Sequence, residues 1–343
     1  MGSDRSSDKP IVVIAVALIA VMLMGQVVLS TSSSSDYFFS VSVDGDDATY
    51  TISSKVPKEY ALAVNDLGTY SVVDSVTIYY DVSRPCIAQS STVAVGSMPL
   101  SQESYKDYLV TLLKSQGIED IRFIDAAGLR EHMIQPADPS DALVVLSGVL
   151  PDTVYTGAFS DPVFSWLADG GRLYWIGSEI GSCYSTSGGG VVPVSSNQKL
   201  FFGVDCINPH AESKVLDEVE GDVYRSALSL INNDVRYGLD TDAITDRPTL
   251  SMGYTDGVYD SVSLVQYGEG MVCVFGGDYS VDQIRDVSKV IASSISPVTV
   301  SVDVVYGDVN GTVAGTFTFT GGNMSAYVCL GGIWSVYGKA VGL

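Results

Sequence analysis

Two spacings of apolar residues alternate through the middle of this chain. Short runs at 76–81, 121–124, 143–146, 173–176 and 271–275 are β-rich and mostly close in Gly, Ser or Asp, as buried strands do. Between them the apolar positions recur every third or fourth residue. Over 101–116, Tyr105, Tyr108, Leu109, Leu112 and Leu113 form one helical face. Ser101 can cap this helix, Glu103 sits in its first turn and Gly117 stops it. The same period predicts helices over 129–134, 162–168, 223–231 and 280–295, with Pro162 at a first-turn position that tolerates proline. Further strands are expected at 235–239, 250–254 and 261–266. Strands alternating with helices in this way build a parallel sheet covered on both faces.

At the two ends the period changes to two. Residues 37–43 and 48–53 flank Asp44-Gly45-Asp46-Asp47, a hairpin signal, and 60–64 reads as another strand. From Val298 onward, Val300, Val302 and Val304 alternate with smaller or polar residues, and 312–319 and 324–330 repeat the strand pattern. That is a small antiparallel module, too small to stand comfortably alone. It is expected to pack with the 37–64 hairpin.

The first residues set an expected compartment. Residues 11–29 are apolar except for Gly25 and Gln26, long enough to cross a bilayer as a helix. Arg5 and Lys9 precede the run and a serine stretch follows it, so the bulk of the chain is expected outside the membrane with its N-terminus inside. Cleavage of this segment as a signal peptide, releasing a secreted form, is the alternative. The expected layout is a cytoplasmic tail at 1–10, an anchor at 11–29 and a Ser-rich linker at 30–36. A β-hairpin region at 37–70, an α/β domain at 71–296 and an antiparallel module at 297–343 follow.

Composition narrows the partners. The chain is 46% hydrophobic, with 40 acidic against 18 basic residues and a formal charge of −22. That field repels phosphate backbones, and no basic patch interleaved with aromatics offsets it, which argues against nucleic acid. The two histidines, His132 and His210, are far apart and no Cys-x-x-Cys occurs, so no metal site or cofactor is expected. Cys183 and Cys206 flank a Gly/Ser-rich stretch and are candidates for a disulfide, whereas Cys273 lies in an apolar run and reads as a core residue. Asn310-Gly311-Thr312 and Asn323-Met324-Ser325 are glycosylation sequons at expected turns, making Asn310 and Asn323 candidate sites.

The candidate chemistry concentrates at 141–181. An apolar run ends at Ser147-Gly148, a helix follows, and a second run ends at Gly177-Ser178-Glu179-Ile180-Gly181. With the units at 76–124 and with Gly268-Glu269-Gly270 before the run ending at Gly276-Gly277, this resembles the class I glutamine amidotransferase-like domains. The resemblance spans about 76–295. It implies a flavodoxin-like parallel sheet with helices on both faces, here joined to the small antiparallel module and the N-terminal transmembrane helix. The family's elbow is Gly-x-Cys-x-Gly, and its general base is a His near the last parallel strand. Here Glu179 occupies the nucleophile position, and Gly276-Gly277-Asp278-Tyr279 has no His. A carboxylate does not replace a thiolate in attack on an amide. The expectation is therefore a catalytically degenerate domain serving in binding or assembly at the cell surface, its partner a protein or a glycan. Ser147, Gly148, Ser178, Glu179 and Asp278 form the candidate ligand-binding edge. The alternative is a glycan-directed hydrolase or lectin that uses Glu179 and Asp278 as a carboxylate pair.

Overall fold

A computed structural model describes residues 27–33, 37–44, 47–67, 70–86, 102–215, 218–219, 222–231, 234–255, 260–276, 281–297, 300–318, 324–330 and 332–340. The anchor over 11–26 lies outside these residues. Its last three positions, 27–29, begin a strand instead. Among the described residues no helix is long and apolar enough to cross a membrane.

Three antiparallel strands open the described chain: β1 (Val27–Ser33), β2 (Tyr37–Asp44) and β3 (Asp47–Asp66). Ser30–Ser33, expected in a linker, are thus part of a strand that pairs with β2.

The α/β alternation follows as the apolar spacing predicts. Its elements are β4 (Ser75–Tyr79), α1 (Gln102–Ser115), β5 (Asp120–Ile124), α2 (Ala126–Ile134) and β6 (Asp141–Val145). Next come β7 (Leu150–Pro151), α3 (Pro162–Ala168), β8 (Arg172–Ile176), the hairpin β9 (Cys183–Ser185) and β10 (Val191–Pro193), and the short α4 (Asn197–Phe202). Then follow β11 (Ile207–Val215), β12 (Glu218–Val219), α5 (Asp222–Leu228), β13 (Asp234–Leu239), β14 (Thr249–Ser251) and β15 (Tyr254–Thr255). The domain closes with β16 (Val262–Tyr267), β17 (Gly270–Phe275) and α6 (Val281–Ser293). The last strands are β18 (Val300–Thr318), β19 (Met324–Leu330) and β20 (Ile333–Ala340).

The central sheet has seven strands in the order β14-β16-β17-β8-β6-β4-β5. Five of them, β5, β4, β6, β8 and β17, are mutually parallel. Counted in chain order, these five lie 2-1-3-4-5 across the sheet. The sheet is mixed rather than all-parallel, because β16 runs antiparallel to both β17 and β14. The reason is local. The turn between β16 and β17 is tight, and Gly270 lies against the backbone of α3 and Gly171, where a Cβ would meet the Gly171 oxygen at 2.3 Å. Two residues separate β16 from β17, enough for an antiparallel hairpin, whereas a parallel pair needs a crossover of about a dozen residues or more.

Helices cover both faces. On one, Tyr105, Leu109 and Leu113 of α1 and Ile284, Val287 and Ile291 of α6 pack on Val76, Ile78, Val144 and Tyr174. On the other, Leu129 and Met133 of α2, Val163, Phe164 and Leu167 of α3 and Phe201 of α4 pack on Leu143, Val145, Trp175 and Val274.

At the amino edge of the sheet sits a buried carboxylate. Asp141 accepts from Ser75 Oγ at 2.7 Å, Thr77 Oγ1 at 2.8 Å and Arg122 Nη2 at 3.1 Å, with His132 Nε2 at 3.7 Å. Nearby, the buried Arg172 donates to the carbonyls of Ser71 at 2.9 Å and Ser294 at 3.1 Å and lies over the Tyr70 ring. It ties both connections to the terminal β module into the sheet.

That module is one sheet built from both chain ends. β3 pairs along most of its length with β18 on one side. On the other side it pairs with β2 through its first half and β19 through its second. Irregular register in β18 between Tyr306 and Gly311 lets the ribbon bend. Phe39, Val41 and Ile52 from one half then share a core with Tyr60, Leu62, Met324 and Ala326 from the other. The expected packing of tail on hairpin is thus direct strand pairing. Asn65 joins the module to the α/β domain: its Nδ2 donates to Tyr327 Oη at 3.1 Å and its Oδ1 accepts from Tyr224 Oη at 2.5 Å.

Candidate functional site

The parallel strands deliver two turns to the carboxyl edge of the sheet, where ligands of open α/β sheets bind. After β6, Ser147 is buried and its Oγ donates to the Val149 carbonyl at 2.7 Å. After β8, the Ser178 hydroxyl donates to the Gly148 carbonyl at 2.6 Å, and Trp175 Nε1 donates to the Ser178 carbonyl, also at 2.6 Å. The Ser178 hydroxyl thus fastens the second turn to the first at Gly148, while the Ser147 hydroxyl braces its own turn. The elbow ends at Gly181 with φ of +65°, and a Cβ there would lie 2.5 Å from the Phe201 ring and 2.9 Å from Tyr155 Oη. Only glycine meets both conditions. Tyr155 Oη donates to the Gly181 carbonyl at 2.7 Å and locks the turn.

Glu179, at the tip of the elbow, turns toward α4. Its Oε1 accepts from Asn197 Nδ2 at 2.8 Å and Gln198 Nε2 at 3.3 Å. Asn197 Nδ2 also donates to the Ile180 carbonyl at 2.9 Å. Gln198 Oε1 accepts from the backbone N–H groups of Cys206 and Ile207 at 2.7 and 2.8 Å. The carboxylate is thus the hub through which the elbow, the start of α4 and the entry to β11 hold one another. Asp278, its expected partner in a carboxylate pair, lies outside the described residues.

Tyr237 of β13 crosses the end of β17, its N–H donating to the Gly276 carbonyl at 3.4 Å. Its phenol is buried and has no hydrogen-bond partner among the described residues, and burial, with Glu179 adding to it, raises its pKa.

Cys183 and Cys206 are separate free thiols, which corrects the expected disulfide. The stretch between them is no slack loop: it holds the β9–β10 hairpin and α4, which fix Cys183 on a strand and Cys206 beyond the helix. Burial, then Asp240, Asp205 and Glu179, pushes the Cys206 thiol up to about 12, and burial also raises Cys183. Both are protonated at neutral pH, the unreactive form. Cys273 is a fully buried core residue, as its apolar run predicts. Asn310 is exposed on β18 beside the register shift at Gly311, and Asn323 lies outside the described residues.

The sequence reading missed a second cluster at the same edge. It lies beyond β4, beside β6, where the chain order across the sheet reverses. Asp81 accepts from Ser83 N at 2.9 Å, Ser83 Oγ at 2.5 Å and the Ala126 N–H at the start of α2 at 3.1 Å. Burial alone would raise its pKa, but these donors and Arg84 bring it below the usual carboxylate value. The Arg84 side chain is only 8% exposed and donates through Nη1 to Asp152 Oδ1 and to the Ser185 carbonyl, both at 2.8 Å. The only signal in the sequence was position, an Asp at a strand end followed three residues later by Arg. The cluster joins the β4 loop, α2 and the β7–β9 region.

No family model matches the chain, and no curated protein matches it. Among solved structures it is similar to the exo-β-1,4-mannosidase Op5Man5 from Opitutaceae bacterium strain TAV5, at 12% identity over 66% of this chain and 36% of that one, with a TM-score of 0.33. A cold-adapted β-galactosidase from Rahnella sp. R3 matches at 15% identity over 64% of this chain and 31% of that one, with a TM-score of 0.38. A β-galactosidase from Bacillus circulans sp. alkalophilus matches at 11% identity over 80% of this chain and 41% of that one, with a TM-score of 0.35. The chain spans less than half the length of each.

Proposed function

We propose that the chain is a binding protein held outside the membrane by its apolar N-terminal segment. In this reading its α/β domain is a flavodoxin-like, amidotransferase-like scaffold whose elbow has become a structural joint. One observation carries the proposal. The residue at the nucleophile position, Glu179, is engaged by Asn197 and Gln198 of α4. The serines of the two strand-end turns are likewise committed, Ser147 to Val149 and Ser178 to Gly148. A side chain built into the docking of a helix stabilises the fold; it is not poised to attack a substrate. The 2-1-3-4-5 order of the parallel strands supports the flavodoxin-like assignment.

Two measurements test the reading. Glu179→Gln should lower the unfolding midpoint while leaving any ligand affinity of the chain within about twofold, since ~0.4 kcal/mol separates such values. A hydrolase or amidase activity abolished by this substitution would overturn the proposal. Membrane fractionation with external protease should find the chain membrane-bound and cleaved from outside; a fully protected chain would refute the compartment.

A further inference from the structure

We infer that the open pocket between α3, α4 and the β14–β16 edge is a site for a neutral saccharide. The cavity measures about 700 Å³, within the usual range for small-molecule sites. Phe159, Lys199, Asp246, Arg247, Gln266 and Tyr267 supply its aromatic and polar walls. The inference rests on the binding role proposed above and names its ligand class.

Three observations combine. First, Phe159 is 69% exposed, although it belongs to a stack of rings: its centroid lies 6.2 Å from Phe164, which in turn lies 5.9 Å from Tyr267 at an angle of 28°. Phe159 meets Phe164 at a tilt of 48°, and most of its ring is left to solvent at the pocket wall. Sugar rings present C–H groups on one face, and an aromatic face with its negative quadrupole is the surface that receives them. Second, the far wall carries planar polar groups. Arg247 lies over the Tyr267 ring at 5.7 Å and binds Asp246 in a two-point pair, Nε to Oδ1 at 3.0 Å and Nη2 to Oδ2 at 2.8 Å. A guanidinium has five N–H donors and a carboxylate has four lone-pair sites, so the pair can both donate to and accept from vicinal hydroxyls. Third, the cations of the pocket are paired, Arg247 with Asp246 and Lys199 with Asp205 at 3.5 Å, while the chain as a whole carries −22. That field disfavours an anionic ligand. Hydroxyl-rich, uncharged and ring-shaped, a saccharide meets all three conditions.

Isothermal titration of the purified full chain with short cello-, manno-, malto- and β-galacto-oligosaccharides tests this. Saturable binding to at least one series is expected. Phe159→Ala should weaken it about tenfold or more, the equivalent of ~1.4 kcal/mol, with an unchanged thermal midpoint because the ring is exposed. Arg247→Met should weaken it as well, and Phe123→Ala, an exposed aromatic on another surface, should not. Failure of every series to bind overturns the inference, as does wild-type affinity in both Phe159→Ala and Arg247→Met. Binding restricted to sulfated or uronate saccharides and lost in salt also overturns it, since that marks an anion site. A reducing-end assay on the same mixtures separates the two claims. Hydrolysis would refute the binding role proposed above, whereas absent binding without hydrolysis removes the saccharide alone and leaves the reading of the elbow standing.

Discussion

At the scale of single residues, two positions have consequences that can be measured. Gly181 combines a left-handed backbone with contact against Phe201 and Tyr155. Gly181→Ala adds steric overlap to backbone strain and should cost about 3 kcal/mol in urea unfolding. His132 acts through pH. Burial holds its imidazole below the usual value, with Arg122 pushing the same way and Asp141 and Asp138 pulling against them. In the unfolded chain it takes up a proton near pH 6.5; in the fold it does so only at lower pH. The unfolded state therefore binds more protons in that interval. The stability contributed by the neutral ring is present above about pH 6.5 and is lost as the pH falls through the interval toward the folded value. Urea midpoints measured from about pH 7.5 down to 5 should fall more steeply in the wild type than in His132→Gln, which has no imidazole to titrate.

At the scale of elements, α4 is a six-residue helix that owes its position to side chains at its start. Gln198→Ala removes the acceptor for two backbone N–H groups and one donor to Glu179. A loss of about 2–4 kcal/mol is expected, from leaving buried donors unpaired. Amide hydrogen exchange should quicken first at Cys206 and Ile207. This helix also shows where sequence reading ended. The helices α1 and α6 run long enough to display a full apolar face, and the parallel strands close in Gly, Ser or Asp, so both were legible. α4 is too short for its period to register, and the β9–β10 hairpin hides in a Gly/Ser-rich stretch that reads as loop. The approach of the turn at Ser178 to that at Gly148 was legible because parallel neighbours bring their strand ends together. The orientation of Glu179 was not, because it depends on Asn197 and Gln198 in an element the pattern never revealed. The Asp81–Arg84 cluster escaped for a related reason: its partners, Asp152 and Ser185, come from later loops.

At the scale of the whole molecule, the terminal β module and the α/β domain share a buried polar junction. Asn65 lies between Tyr224 and Tyr327, and Ser325 Oγ donates to the Ser293 carbonyl at 3.1 Å. The full chain should therefore unfold in a single transition followed equally by near- and far-ultraviolet circular dichroism. Asn65→Leu removes the hydrogen bonds that Asn65 makes to both tyrosine hydroxyls, and two separated transitions are expected. A single, merely shifted transition would show that the junction does not couple the two parts.

The pairing of β3 with β18 also dictates an order of events during synthesis. Ala63 faces Asp303 and Ile52 faces Val313, so the contacts that complete this sheet join positions about 240–260 residues apart. While the ribosome builds everything between them, β3 has no β18 along one edge and no β19 beside its second half. An unpaired strand edge of that length is a template for association with other chains. The α/β domain, assembled from neighbouring units, can form early; the module waits for the final strands and closes slowly because its contacts are so distant in sequence. Truncation before β18 should therefore yield a chain whose first strands aggregate, even though its central domain is complete. The last few dozen residues act as the stopper that makes the earliest ones safe.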